Sequence, residues 1–231
     1  MNRVADVIRD DIKVMTAYQV ADLPEGFIKL DAMECPHHPF VRYESLLSEW
    51  ADLARQAPIH LYPHTAKSGI YEELREVFGI LDKAEIALGN GSDELIQFLT
   101  MLVAKPNAQV LGIEPSFVMY RHNAALYGME YVGVPLNPDF SLNLPAVLSA
   151  IEQHQPSLIF IAYPNNPTGV CFKREEVEAV IRAATGIVVV DEAYGAFHHD
   201  SFLPWAGEVE NLVVMRTISK IGFAGLRMGY A

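Results

Sequence analysis

The sequence is short of cysteine, short of basic residues and without long apolar runs. Its two cysteines, Cys35 and Cys171, stand far apart and in no metal-ligand spacing. That argues against a disulfide scaffold or a cysteine zinc site, and a reducing, cytosolic compartment is the simpler expectation. Lysine and arginine number 17 against 29 aspartates and glutamates, a net charge of −12. A nucleic-acid groove or an anionic membrane surface is therefore not the expected partner, although a local pocket can still oppose the overall sign and take a small anion. No apolar run reaches membrane-spanning length. The opening MNRVADVIRDDIKVMTAY alternates charge with apolar residues and so does not read as a secretory leader. Internal repeats and low-complexity tracts are also missing.

What is present is a core. Hydrophobic residues make up 51% of 231, enough for one large domain or one domain and part of another. Val4, Val7, Ile8 and Ile12 recur at helical spacing and predict an amphipathic first helix. The turn-rich ADLPEGFIKLDAMECPHHPF reads as an extended arm, and RYESLLSEWADLARQA as helix again. Residues 1–54 are thus expected to form an N-terminal helix and arm, and 55–231 a large domain. From Ile70 onward, strand and helix patterns alternate at βαβ spacing. SLIFIA and IVVV are continuous apolar runs, as strands covered on both faces require. The expected fold is α/β, three layers around a mostly parallel sheet.

In such a sheet the ligand sits beyond the carboxyl ends of the strands. The residues that follow the expected strands are GNGSDE, EPSF, YPNNPTG, DEAYG and TISK, so the polar and unusual side chains gather on one edge. GNGSDE turns a strand into a helix, where backbone N–H groups and a hydroxyl suit a phosphate; Ser92 or Asp93 acting only as a helix cap is the alternative. It is no nucleotide-triphosphate loop, because no Gly-Lys-Ser/Thr follows. Asp191 ends a buried strand and needs a partner. A metal, helped by Glu192, His198 or His199, is one choice, and a protonated cofactor ring nitrogen is the other. Tyr194 and Asn166 stand where they could read a ligand oxygen, and Phe117 where it could stack on a ring or simply fill core. Lys220, between an apolar strand and IGFAGL, is either a surface cation or a partly desolvated amine able to attack a carbonyl. Arg227 could grip a phosphate. The histidine pairs 37–38 and 198–199 read as loop residues.

Taken together, TAYQ, IKLDAMECP, LYPHTAKSGIYEELRE, GNGSDE, EPSFVMY, YPNNPTGV, VVVDEAYG and RTISKIGFAGLRMGY resemble, in order, the fold-type I enzymes that use pyridoxal 5′-phosphate. More narrowly they resemble the histidinol-phosphate aminotransferases. The resemblance implies that Lys220 binds the cofactor aldehyde and shuttles the substrate proton, and that Asp191 pairs with the pyridine nitrogen. It implies that Asn166 and Tyr194 bond the phenolic oxygen and that Phe117 stacks on the ring. It assigns Gly91, Ser92, Ser219 and Arg227 to the phosphate, with Asp93 beside them. It further implies a homodimer in which Tyr62 reaches the neighbouring subunit's phosphate, and a Tyr18 close to the substrate phosphate.

The implied reaction is transfer of an amino group from glutamate to imidazole-acetol phosphate in histidine biosynthesis. An aromatic aminotransferase, a threonine-phosphate decarboxylase and a non-catalytic cofactor-binding piece are the rival expectations. Cys35 departs from the asparagine usual in that branch, and the Lys220–Arg227 interval is one residue shorter than in many fold-type I enzymes. MGYA is read as an antiparallel strand cut short, which would leave the sixth strand's neighbour position open. A small C-terminal domain and its carboxylate-binding arginine are expected to be missing, so the chain is expected to be inactive by itself.

Overall fold

A computed structural model describes residues 5–16, 24, 26–28, 32–37, 44–62 and 68–231. The chain divides into two compact units, Met1–Glu34 and Cys35–Ala231. In the first, the expected continuous helix is not formed. A 3₁₀ turn at Ala5–Val7 precedes a single α-turn, α1 (Asp10–Lys13), which buries no residue. Val7 is 82% exposed, so the apolar stripe has no surface to cover there. A helix this short draws little stability from propensity alone.

The second unit carries α2 (Glu44–Gln56), α3 (Ile70–Phe78), β1 (Leu88–Asn90), α4 (Ser92–Val103), β2 (Gln109–Glu114) and α5 (Met119–Leu126). It continues with β3 (Glu130–Pro135), α6 (Leu144–His154), β4 (Leu158–Ala162), α7 (Arg174–Ala183), β5 (Ile187–Asp191), β6 (Leu212–Thr217) and β7 (Met228–Tyr230). The strands form one sheet in the order β1-β7-β6-β5-β4-β2-β3. Strands β3, β2, β4, β5 and β6 run parallel, and β7 is antiparallel to both β6 and β1.

The continuous apolar runs do what both-face burial demands. All five residues of β4 are buried, and they alternate between two cores. Ile159 and Ile161 join Val188, Val190 and Leu111 under α6 and α7, which contribute Val147, Ile151, Val177 and Val180. Leu158 and Phe160 join Val189, Met215 and Val110 under α4 and α5, which contribute Leu95, Ile96, Tyr120 and Ala124. Helix-sheet-helix layering follows directly from that alternation. Local signals set the boundaries. Asn143 Oδ1 accepts the Ala146 N–H to start α6, and Gly79 in the left-handed region ends α3.

The sixth strand's neighbour position is not open, contrary to the sequence expectation. Three residues suffice, because β7 pairs Tyr230 and Gly229 with Arg216 and Thr217 on one side and with Leu88 and Gly89 on the other. Ala231 exchanges two backbone hydrogen bonds with Ala87, at 2.8 and 3.0 Å, which extends the pairing past the strand. Among the described residues no helix is long and apolar enough to cross a membrane.

Candidate active site

Each parallel strand delivers its last residues to the same edge of the sheet. A pocket there is lined by Ser92 and Asp93 from the start of α4, Phe117 and Tyr120 from α5 and its approach, and Asn166 from the loop after β4. Asp191 and Tyr194 come from the end of β5, and Thr217, Ser219, Lys220 and Arg227 from the segment after β6. Nine side chains singled out in the sequence therefore meet in one cavity. A wider concavity of 1160 Å³ opens at the opposite edge, but the amide of Asn211 there is committed to the carbonyls of Ile181, Ala184 and Gly186. Size favours that groove. The strand-end rule and the chemistry of the side chains favour the pocket.

One end of the pocket is built from glycine outward. Gly91, not Ser92 or Asp93, is the N-cap of α4; its φ is 82° and it has no side chain to satisfy the first N–H groups. Glu94 turns back instead to the loop, where it accepts the Asn90 backbone N–H at 2.7 Å. The helix start thus keeps its partial positive charge for another acceptor. Arg227, itself at φ 52°, lays its guanidinium against Gly91, so close that a Cβ on Gly91 would stand 2.5 Å from Nη2. Arg227 Nη2 also donates to the Asn90 carbonyl at 3.2 Å and lies 3.7 Å from Asp93 Oδ2. Ser219 completes this end, with its hydroxyl 2.8 Å from Thr217 Oγ1, which in turn donates to the Met228 carbonyl at 2.9 Å.

The other end is a buried carboxylate. Asp191 accepts the Tyr120 O–H on Oδ2 at 2.7 Å and the Ala193 N–H on Oδ1 at 2.9 Å. Burial pushes its pKa up to about 6 against the pull of these two bonds, and the nearby charges of Asp93 and Glu192 push it further in the same direction. Burial and the same carboxylate hold the Tyr120 hydroxyl well above its ordinary value. Lys220 is half-buried, its Nζ 5.4 Å from the centre of the Tyr194 ring. Asn166 Nδ2 comes to 3.5 Å from the Tyr194 hydroxyl. Phe117 presents a half-buried ring on the pocket wall.

Some expected residues lie elsewhere. Tyr62 is 98% exposed and does not line the pocket. Tyr18 falls outside the described residues. Glu192 turns away to Arg216 Nε and Nη2 at 2.9 and 2.7 Å and to the Phe202 N–H at 2.6 Å. Among the described residues no three His, Cys, Asp or Glu side chains gather as a metal set. Three residues that matter were not singled out in the sequence. Tyr120 is one, and its place three residues after Phe117, in the segment that follows a strand's carboxyl end, is a signal that could have found it. Thr217 is another. The third is Asn165, buried and bonded to Ser116, the Pro115 carbonyl and Thr168, which pins the loop that carries Asn166.

One pocket at the carboxyl edge of a parallel sheet thus brings together a helix N-terminus, an arginine, a buried carboxylate and a half-buried amine. The aminotransferase class I and II family profile matches residues 25–231, and the chain belongs to that family. It is similar over its whole length to a histidinol-phosphate aminotransferase of Neisseria meningitidis serogroup C, with 69% identity over 231 residues. It is 52% identical over 229 residues, 99% of this chain, to the protein of that name from Chromobacterium violaceum. The chain spans 63% of the length of each of these relatives. Among solved structures, it superposes on the histidinol-phosphate aminotransferase of Sinorhizobium meliloti in complex with pyridoxal-5′-phosphate. The TM-score is 0.75 and the identity 28%, over 86% of this chain and 54% of that one.

Proposed function

We propose that this chain serves a pyridoxal-phosphate-dependent transamination, with imidazole-acetol phosphate and glutamate as substrates and L-histidinol phosphate and 2-oxoglutarate as products. The observation that carries it is the pairing of Asp191, a buried carboxylate whose two hydrogen-bond donors are both neutral, with an anion cradle at the other end of one pocket. A pyridine ring bearing a cationic nitrogen and a phosphate fits that polarity. The whole-length similarity to histidinol-phosphate aminotransferases supports the choice of substrate.

Pyridoxal 5′-phosphate, when bound, supplies an aldehyde that takes up amino groups and a ring that accepts the electrons left when a carbon loses its proton. The chain supplies the rest. Lys220 would hold the cofactor through its Nζ and, once an incoming amino group has displaced it, the freed amine would take a proton from the substrate carbon and return it. Asp191 accepts the ring N–H. Ser92, Ser219, Arg227 and the open N–H groups behind Gly91 hold the phosphate, with Asp93 beside them. Asn166 and Tyr194 bond the phenolic oxygen, and Phe117 covers one face of the ring. Tyr18 reads the substrate phosphate, and Tyr62 reaches the cofactor phosphate of a second copy in a homodimer. Residues 1–54 would serve as an arm ahead of a cofactor-binding domain over 55–231, working in the cytoplasm.

The test is chemical. In the full-length protein, borohydride treatment of the yellow form should fix the cofactor to the peptide that holds Lys220, and Lys220→Ala should cost at least about 10²–10⁴-fold in rate. Initial rates on phosphorylated and unphosphorylated amino donors then decide the substrate. Faster turnover of an unphosphorylated aromatic donor than of histidinol phosphate would sink the substrate assignment.

A further inference from the structure

Both oxygens of Asp191 are engaged before any ligand arrives, one by the backbone of Ala193 and one by Tyr120. The second donor is held firmly. Tyr120 is fully buried, its ring stacks on Phe160 at 4.5 Å and 3°, and it meets the edge of Phe117 at 5.8 Å and 85°. Phe117 and Tyr120 sit three residues apart where α5 begins, so one turn of chain brings both the aromatic wall of the pocket and a donor for Asp191. A buried tyrosine hydroxyl needs an acceptor, and this one spends its only proton on a carboxylate, the stronger kind of hydrogen bond.

From this geometry we infer that Tyr120 is a positioning residue for the cofactor ring: through Asp191 it orients the carboxylate toward the ring nitrogen and keeps it ionised. The inference rests on the proposed function above, since it takes the ring nitrogen as the group that Asp191 serves. The surroundings make the task necessary. Asp93 from α4 and Glu192 beside Asp191 place further negative charge nearby, and Tyr131 and Tyr194 flank Tyr120 without relieving it. Lys220 and Arg227 stand on the same pocket wall. Burial raises the proton affinity of Asp191, and the Tyr120 hydrogen bond is the largest influence acting the other way. Without that bond a larger share of the carboxyl would be protonated near neutral pH and free to rotate. A protonated carboxyl cannot neutralise a cationic ring nitrogen.

The test reads the carboxyl directly. In cofactor-free protein labelled with ¹³C at aspartate carboxyls, the Asp191 signal is identified by its loss in Asp191→Asn and titrated by NMR. Tyr120→Phe keeps the stacked ring and removes the O–H. It should move the Asp191 midpoint upward by about one pH unit and, through the smaller ionised share alone, weaken pyridoxal phosphate binding at pH 7 by roughly twofold. Should the Phe variant fold poorly, 3-fluorotyrosine at position 120, a better donor of the same shape, should move the midpoint downward. A purely packing role for Tyr120 moves neither midpoint. If the wild-type protein takes up no pyridoxal phosphate, the proposed function falls and the cofactor role of Tyr120 with it. If the cofactor binds but the Phe variant keeps the wild-type midpoint and affinity, only the Tyr120 inference is overturned.

Discussion

Gly91 carries two separate demands, and they predict two separate losses. Its φ of 82° lies in the left-handed region, which costs a side-chain-bearing residue about 1–3 kcal/mol. A Cβ there would also meet Arg227 Nη2 at 2.5 Å, but that contact is with the tip of a flexible side chain, which can swing away. Gly91→Ala should therefore lose only a modest amount of stability in urea denaturation while its affinity for pyridoxal phosphate drops at least tenfold, because the guanidinium leaves the cradle. A variant that denatures earlier but binds the cofactor normally would show that Arg227 does not serve the phosphate. The same residue scale shows what sequence reading could and could not deliver. Asp191 and Lys220 stood out because a charged residue at the end of an apolar strand is costly and needs a reason. Asn166 stands out at the turn after β4, whereas the role of Asn165 in pinning that turn shows only in its bonds to Ser116, Pro115 and Thr168. Tyr120 was not singled out, and only the strand-to-helix packing reveals that its hydroxyl meets a carboxylate.

Among the elements, the end of β5 is held by an ion pair on the other side from the pocket. Glu192, with a fully buried side chain, takes two bonds from Arg216 of β6, one from the Ser201 hydroxyl at 2.8 Å and one from the Phe202 N–H. This joins two strands to the loop after β5. Glu192→Ala would leave the largely buried Arg216 guanidinium without its counter-charge and several donors without acceptors. We expect a loss of about 3–5 kcal/mol in equilibrium unfolding, most of it recovered when Arg216 is replaced by Met in the same protein. A single-variant loss below about 1 kcal/mol would mean the pair is solvated and structurally idle. The sheet itself was the most legible level, since β4 and β5 write their two-sided burial as unbroken apolar runs. The exceptions were short elements. Strand β7 reads as an antiparallel strand, but its composition does not show that three residues suffice to pair with both β6 and β1. The opening segment has a helical period, yet among the described residues it forms only two short turns, with Val7 exposed.

For the molecule as a whole, the buried carboxylate should write itself into stability as a function of pH. Asp191 has a folded pKa of about 6 against an ordinary 3.8, so between those values the folded state holds a proton that the unfolded state has released. Stability then falls as pH rises through that window, and the full penalty, about 3 kcal/mol as an order of magnitude, is present above pH 6. Groups with lowered values, such as Asp200 beside Arg174, act in the opposite sense and at lower pH, losing their contribution as pH falls. They are common to wild type and Asp191→Asn, so the difference between the two proteins isolates the one carboxyl. In cofactor-free protein, wild type should lose stability relative to Asp191→Asn from pH 4 to pH 6 and run parallel to it from pH 7 to 8. The absolute offset at high pH will also contain the cost of mispairing an amide with the Ala193 N–H, so the slope, not the offset, carries the argument. Saturating wild type with pyridoxal phosphate should flatten the slope, because a cationic ring nitrogen repays the buried charge. Denaturant midpoints across that pH range, with and without cofactor, measure all three curves. Parallel wild-type and Asp191→Asn curves throughout would mean that Asp191 is already solvated or paired in the free protein, and that the pocket's polarity is not the reason for its affinity.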